Sequence, residues 1–124
     1  MIAYNLKGSG SLVLTDEVRS YLDQKLDRVE KLINQNDTTV KLDVELGTVS
    51  NARTGNMFRA ELNFSFSGGF IRAEETCDTL HAAIDAAVDE LIHELKKKVG
   101  KQRDLMRRGA TKVKDFFRYF TGGN

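Results

Sequence analysis

The chain contains no proline and a single cysteine among its 124 residues. Without proline it has no stiff linker to divide it. Cys77 alone forms no internal disulfide and lacks the partners of a zinc site. No apolar run approaches the ~18 residues that would span a bilayer. The opening MIAYNLKGSG lacks a basic segment followed by an apolar one, so no secretion signal is expected and the default compartment is the cytoplasm. What is present is a hydrophobic fraction of 40% and a charged fraction of 30%. That composition supports one modest core and excludes collagen-like, disulfide-scaffold and wholly disordered chains.

The net charge of +1 conceals a lopsided distribution. Residues 1–95 carry 9 Lys and Arg against 16 Asp and Glu, a net of −7. Residues 96–124 carry 10 basic groups against Asp104 and Asp115, a net of +8. An acidic body with a basic tail fits either a polyanionic partner or a tail folded back on its own body.

Hydropathy patterning gives the element order. Ile2, Tyr4 and Leu6 alternate with Ala3 and Asn5 as a first strand ended by Gly8-Ser9-Gly10. Thr15 opens a helix, with Asp16 and Glu17 suited to its positive end, and Val18, Leu22, Leu26, Val29 and Ile33 recur at helical spacing. Val40, Leu42, Val44 and Leu46 then alternate with charged residues. A second alternating run, Phe58 to Phe66, follows a polar stretch. Gly68-Gly69 signals a hairpin into a fourth strand at Ile71 and Ala73. Asp78 or Thr79 caps a second helix with the stripe Leu80, Ala83, Ile84, Ala87, Val88, Leu91 and Leu95. One-sided strands of this kind belong to an antiparallel sheet with one face covered. The expected fold class is α+β, in the order β-α-β-β-β-α, with both helices on one face of a four-stranded sheet, a sandwich like that of double-stranded-RNA-binding domains. Phe58, Phe64 and Phe66 share the parity of Leu62 and face the core, so the open face lacks the aromatics of an RNA-stacking sheet. Residues 1–99 form the body, and residues 100–124 a basic, aromatic-containing extension, helical or flexible.

At about 100° per residue the charges of the first helix separate. Asp16, Asp23, Asp27 and Glu30 gather on one flank, and Lys25, Arg28 and Lys31 on the other. This is a solvated face with Lys25 laid along the apolar stripe, or a ridge that meets phosphates. On the second helix Glu90, His93, Glu94, Lys97 and Lys101 share a flank that turns from acidic to basic. Enzymatic groupings are poor. Cys77 precedes a helix N-terminus with His81 four residues on, but Glu74, Glu75 and Asp78 oppose a thiolate there. His81 and His93 are too far apart for a shared zinc site. Neither catalysis, metal nor cofactor is expected.

Three segments carry a family resemblance: Leu14-Thr15-Asp16-Glu17-Val18-Arg19 with Lys25-Leu26 and Val29-Glu30-Lys31; Ile71-Arg72-Ala73-Glu74-Glu75; and Leu80-His81-Ala82-Ala83-Ile84-Asp85 with Val88-Asp89-Glu90-Leu91. Over roughly residues 1–100 the chain resembles the hibernation promoting factor / ribosome-associated inhibitor (protein Y) family, also called ribosomal subunit interface or sigma-54 modulation proteins. The resemblance implies a non-enzymatic inhibitor that binds 16S rRNA of the small ribosomal subunit, alone or in the whole ribosome. It would sit in the mRNA and tRNA channel and block translation by steric exclusion under stress.

Lys25, Arg28 and Lys31 match basic positions of the family's first helix. On the second helix the family usually has Lys where this chain has Glu90 and Arg-Gln where it has His93-Glu94, and only Lys97 falls on a commonly basic position. The rRNA-binding residues expected are therefore Lys25, Arg28, Lys31, His93, Lys96, Lys97, Lys98, Lys101, Arg103, Arg107 and Arg108, the tail supplying phosphate contacts that the second helix lacks. The extension is too short for the dimerising domain of the family's long members and is not the acidic tail of some short ones. Its stripe of Leu105, Met106, Val113, Phe116, Phe117 and Phe120 suits docking on the body or a partner protein, self-association, rRNA binding or a membrane surface. No membrane partner is expected for the body. The competing reading is a protein-interaction module that docks through this tail, away from ribosomes.

Overall fold

A computed structural model describes residues 2–51 and 55–108, with the side chains of 51, 99 and 101–108 left aside. The elements are β1 (Asn5–Ser9), α1 (Asp16–Glu30), β2 (Lys41–Asn51), β3 (Gly55–Phe66), β4 (Gly69–Cys77) and α2 (Leu80–Arg108). This is the β-α-β-β-β-α order expected. Residues 109–124, with Val113, Phe116, Phe117 and Phe120 of the expected stripe, lie outside the described residues, and Leu105 and Met106 fall in the last turns of α2.

Both helices begin where their sequences supply a cap. The Thr15 hydroxyl accepts from the Val18 N–H at 3.2 Å, and Asp16 and Glu17 occupy the first turn of α1. Thr79 does the same for α2, accepting from the Ala82 N–H at 3.1 Å. Each cap satisfies a donor that the helix leaves unpaired. α1 ends at Glu30, short of Ile33. The Leu32 and Ile33 N–H groups bond back three residues, to Val29 and Glu30, so the chain tightens into a turn there.

The strands lie in the order β1-β2-β3-β4. β2, β3 and β4 form an antiparallel meander, from Lys41↔Ser65 to Asn51↔Gly55 and from Phe58↔Cys77 to Phe66↔Gly69. The sheet is mixed, not wholly antiparallel, because β1 pairs parallel with β2 from Asn5↔Asp43 to Ser9↔Gly47. The reason lies in the connection: β1 reaches β2 through α1, and a helical crossover returns the chain in its original direction. The ladder also shifts the first strand. Ile2 and Tyr4 precede it and pack on the core, while Gly8 lies inside it and the turn falls at Gly10, whose φ of +67° favours glycine.

The core fills the space between sheet and helices. Val18, Leu22, Leu26 and Val29 of α1 and Ala83, Ile84, Ala87, Val88, Leu91 and Leu95 of α2 cover Leu42, Val44, Leu46, Leu62 and Phe64. Phe64 is fully buried, and Phe58 and Phe66 pack against the cluster. Leu95 is the last buried side chain of α2 among the described residues, although the helix continues to Arg108. Since β4 runs parallel to β1, and each helix folds back over the sheet, α1 and α2 point the same way. Their C-terminal ends therefore share one pole of the body. The loop after α1 is fastened at that pole by Asp37, whose carboxylate accepts from the N–H and hydroxyl of Ser67 in the β3–β4 turn at 3.0 and 2.9 Å. Burial opposes ionisation of Asp37, but hydrogen bonds from Thr39 and Ser67 outweigh it and hold the group below the usual Asp range.

Candidate nucleic-acid interface

The two helices meet through a polar seam. The Tyr21 hydroxyl donates to Asp85 Oδ1 at 2.6 Å, and Lys25 Nζ reaches the same oxygen at 3.2 Å. One turn on, Arg28 Nη1 meets Asp89 Oδ1 at 2.9 Å. The hydrogen bonds of Tyr21 to Asp85 and of Arg28 to Asp89 join residues 64 and 61 positions apart, which sets the register of the pair. On that register Lys31 stands about level with His93, and Lys96 to Lys98 fall between about one and two turns beyond the end of α1.

The basic ridge expected on α1 is therefore unequal along its length. Lys25 is half-buried, its ammonium over the Tyr21 ring at 5.4 Å, and the hydrogen bond to Asp85 raises its pKa. Burial opposes ionisation of Asp85, but hydrogen bonds from Tyr21 and Lys25 hold it below the usual Asp range. Arg28 is exposed though paired, and Lys31 is exposed. On α2, His93, Lys96 and Lys97 are exposed, with Lys97 3.5 Å from Glu94. Lys98 is half-buried, and its Nζ lies along the start of β4 beside Gly69. The backbone of Lys101, Arg103, Arg107 and Arg108 continues α2, and their side chains lie outside the described residues.

Glu90 qualifies this pattern. It is half-buried, and burial together with the Glu75 carboxylate on β4 raises its pKa; Glu94 acts in the same direction. An acidic patch thus precedes the basic run of α2.

The open face of the sheet is a charge lattice. Arg59 bonds Glu45 at 3.1 Å and Glu74 at 2.8 Å and also contacts Glu61, while Arg72 bonds Glu74 at 3.0 Å. Hydrogen bonds from Arg59 and Arg72 lower the Glu74 pKa. Arg59 and Arg72 are thus matched to carboxylates, while Lys7 and Lys41 stand exposed toward the edge of the same face. Parity kept Phe58, Phe64 and Phe66 off this face, but Phe70 was missed: it sits on the open side of β4 and is 56% exposed. Asp85, Asp89 and Tyr21 were also missed as partners of the ridge. Their only signal was the i, i+4 spacing of the two aspartates, and which flank of α2 faces α1 is decided by packing.

Of the pair weighed for catalysis, the His81 ring lies against Tyr21, with centroids 4.2 Å apart, and Cys77 is half-buried at the strand end. Among the described residues no His, Cys, Asp and Glu group is arranged to hold a metal, and no helix is long and apolar enough to cross a membrane.

Residues 5–103 match the family described as Sigma 54 modulation protein / S30EA ribosomal protein. The chain is 37% identical over 97 residues to the ribosome hibernation promotion factor of Deinococcus radiodurans, covering 78% of this chain and 49% of that protein. It is 31% identical over 87 residues to the factor of the same name from Picosynechococcus sp., covering 70% and 44%. The chain thus spans about half the length of these curated relatives. The fold matches the crystal structure of the Thermus thermophilus Protein Y N-terminal domain with a TM-score of 0.62 and 35% identity, over 78% of this chain and 98% of that one. A ribosomal subunit interface protein from Coxiella burnetii, 16% identical, matches at a TM-score of 0.61 over 78% and 97% of the two chains and shares the fold. With most of its length matched, and with the helix and strand motifs in register, the chain belongs to the Sigma 54 modulation protein / S30EA ribosomal protein family.

Proposed function

We propose that this protein is a ribosome-associated hibernation factor, which binds rRNA of the small subunit in the mRNA and tRNA channel and inhibits translation by occupying it. The reading makes it a cytoplasmic protein that excludes substrates and carries out no chemistry. The names of its relatives support the ribosome as partner. The observation that supports the interface is that two parallel helices end at one pole, with Lys31 exposed just past the end of α1 and His93, Lys96 and Lys97 exposed on α2. Arg28 and Lys98 flank this pole, Lys25 adds charge behind it, and Lys101, Arg103, Arg107 and Arg108 extend it along α2. Such cations meet the phosphates of structured RNA, which is recognised by shape and backbone.

Each phosphate contact releases counterions, so about six contacts lose roughly a thousandfold in affinity between 50 and 200 mM salt. Sedimentation through sucrose gradients with ribosomal particles tests the reading. Co-migration with small subunits that fades as salt rises supports it. Migration as free protein at every salt refutes it and favours the interaction module docking through its tail.

A further inference from the structure

The two ion pairs of the helix seam differ in how firmly they are held. Asp85 Oδ1 receives both the Tyr21 hydroxyl and the Lys25 ammonium, and the Tyr21 ring is itself packed by His81. The pair of Arg28 with Asp89 has no such support. It is one contact of 2.9 Å between side chains that are 52% and 62% exposed. Exposed pairs of this kind contribute little and open readily. A guanidinium presents five N–H donors in a planar fork suited to two phosphate oxygens, and Asp89 engages one of its nitrogens.

We propose that Asp89 holds the place on Arg28 that a phosphate oxygen of bound RNA takes over, so that this carboxylate sets how tightly α1 grips RNA. The proposal rests on the ribosome-binding reading above. One oxyanion replaces another by rotation of side chains, and the released carboxylate stays in water. Lys25 keeps Asp85 and Tyr21 throughout and contributes charge from behind. The Asp89 carboxylate acts against binding twice, by occupying the arginine and by repelling the phosphate that approaches it.

The test titrates purified small ribosomal subunits with the wild type, Asp89→Asn, Arg28→Gln, the double variant, and Asp27→Asn as a control. Asp27 is exposed on the opposite flank of α1, so its change alters charge equally without touching Arg28. Asp89→Asn is expected to bind about fivefold tighter, the change that releasing one exposed ion pair permits. Its salt slope stays near that of the wild type, because Arg28 meets the same phosphate in both proteins. In the Arg28→Gln background the gain falls below about twofold, since the coupling needs both partners. Asp89→Ser repeats the measurement should the asparagine variant fold poorly. Equal affinity of Asp89→Asn and wild type overturns the proposal. A gain that persists without Arg28, or one matched by Asp27→Asn, also overturns it. In those cases the ribosome-binding reading stands. Failure of the wild type to bind subunits at low salt overturns the reading, and the proposal with it.

Discussion

Lys25 and Lys31 sit on one helix flank six residues apart, yet they should fail in different ways when neutralised. Lys31 is exposed, so Lys31→Gln removes charge from the surface and leaves the fold alone. A slope of about 0.9 per phosphate contact makes one contact worth about eightfold in affinity at 0.1 M salt. Lys31→Gln is therefore expected to weaken binding to small subunits about eightfold and to lower the salt slope by about 0.9. Lys25→Gln instead leaves Asp85 with the Tyr21 hydroxyl alone at a half-buried seam. It should lower the melting temperature while shifting affinity less than Lys31→Gln and leaving the salt slope nearly unchanged. Titrations at three salt concentrations, paired with thermal melts by circular dichroism, separate the two effects. If Lys25→Gln matched Lys31→Gln in lost affinity and slope with an unaltered melt, the division of the ridge into held and free cations would be wrong.

Further outcomes follow from the core, the caps and the carboxylates. Phe64→Ala, at a fully buried position, should cost about 3–5 kcal/mol in chemical denaturation and leave little folded protein. Thr15→Ala removes the acceptor for the Val18 N–H and should cost about 1 kcal/mol, read as an earlier urea midpoint with an unchanged slope. Glu90 has a raised pKa in the folded protein, so its ionisation opposes folding: the stability is present below the ordinary Glu value and is lost as pH rises through the folded one. Glu90→Gln should therefore melt higher than the wild type at pH 7 and equal it near pH 4. A variant no more stable at pH 7 would contradict the crowding of Glu90 by burial and Glu75.

The elements were legible where local chemistry determines them. Thr15 is a cap by residue type, Asp78 and Thr79 qualify equally and the Ala82 N–H chooses Thr79, and the alternation from Val40 to Leu46 tells which side chains face the helices. The direction of β1 was not legible, because Ile2, Tyr4 and Leu6 would alternate equally in a strand of either sense. It is settled by the helix that returns the chain. The basic flank of α1 was legible as composition, but its division was not. Asp85 and Asp89 lie more than fifty residues from Lys25 and Arg28, and only packing brings them together. Phe70 was not legible because it lies at the start of β4 next to the hairpin glycines, where the alternation set by buried Ile71 and Ala73 has only just begun.

The parallel seam between β1 and β2 has a kinetic consequence. Asn5 meets Asp43 across 38 positions, whereas β2, β3 and β4 each pair with the strand next in sequence. Joining distant segments carries a larger loop-closure entropy and delays assembly, so the meander should zip first and its first-strand neighbour dock last. The same order reversed governs opening from the native side. Amide hydrogens of residues 5–9 should exchange with deuterium well before those of β3, which is flanked on both sides, marking the amino-terminal strand as the seam where the sheet first comes apart.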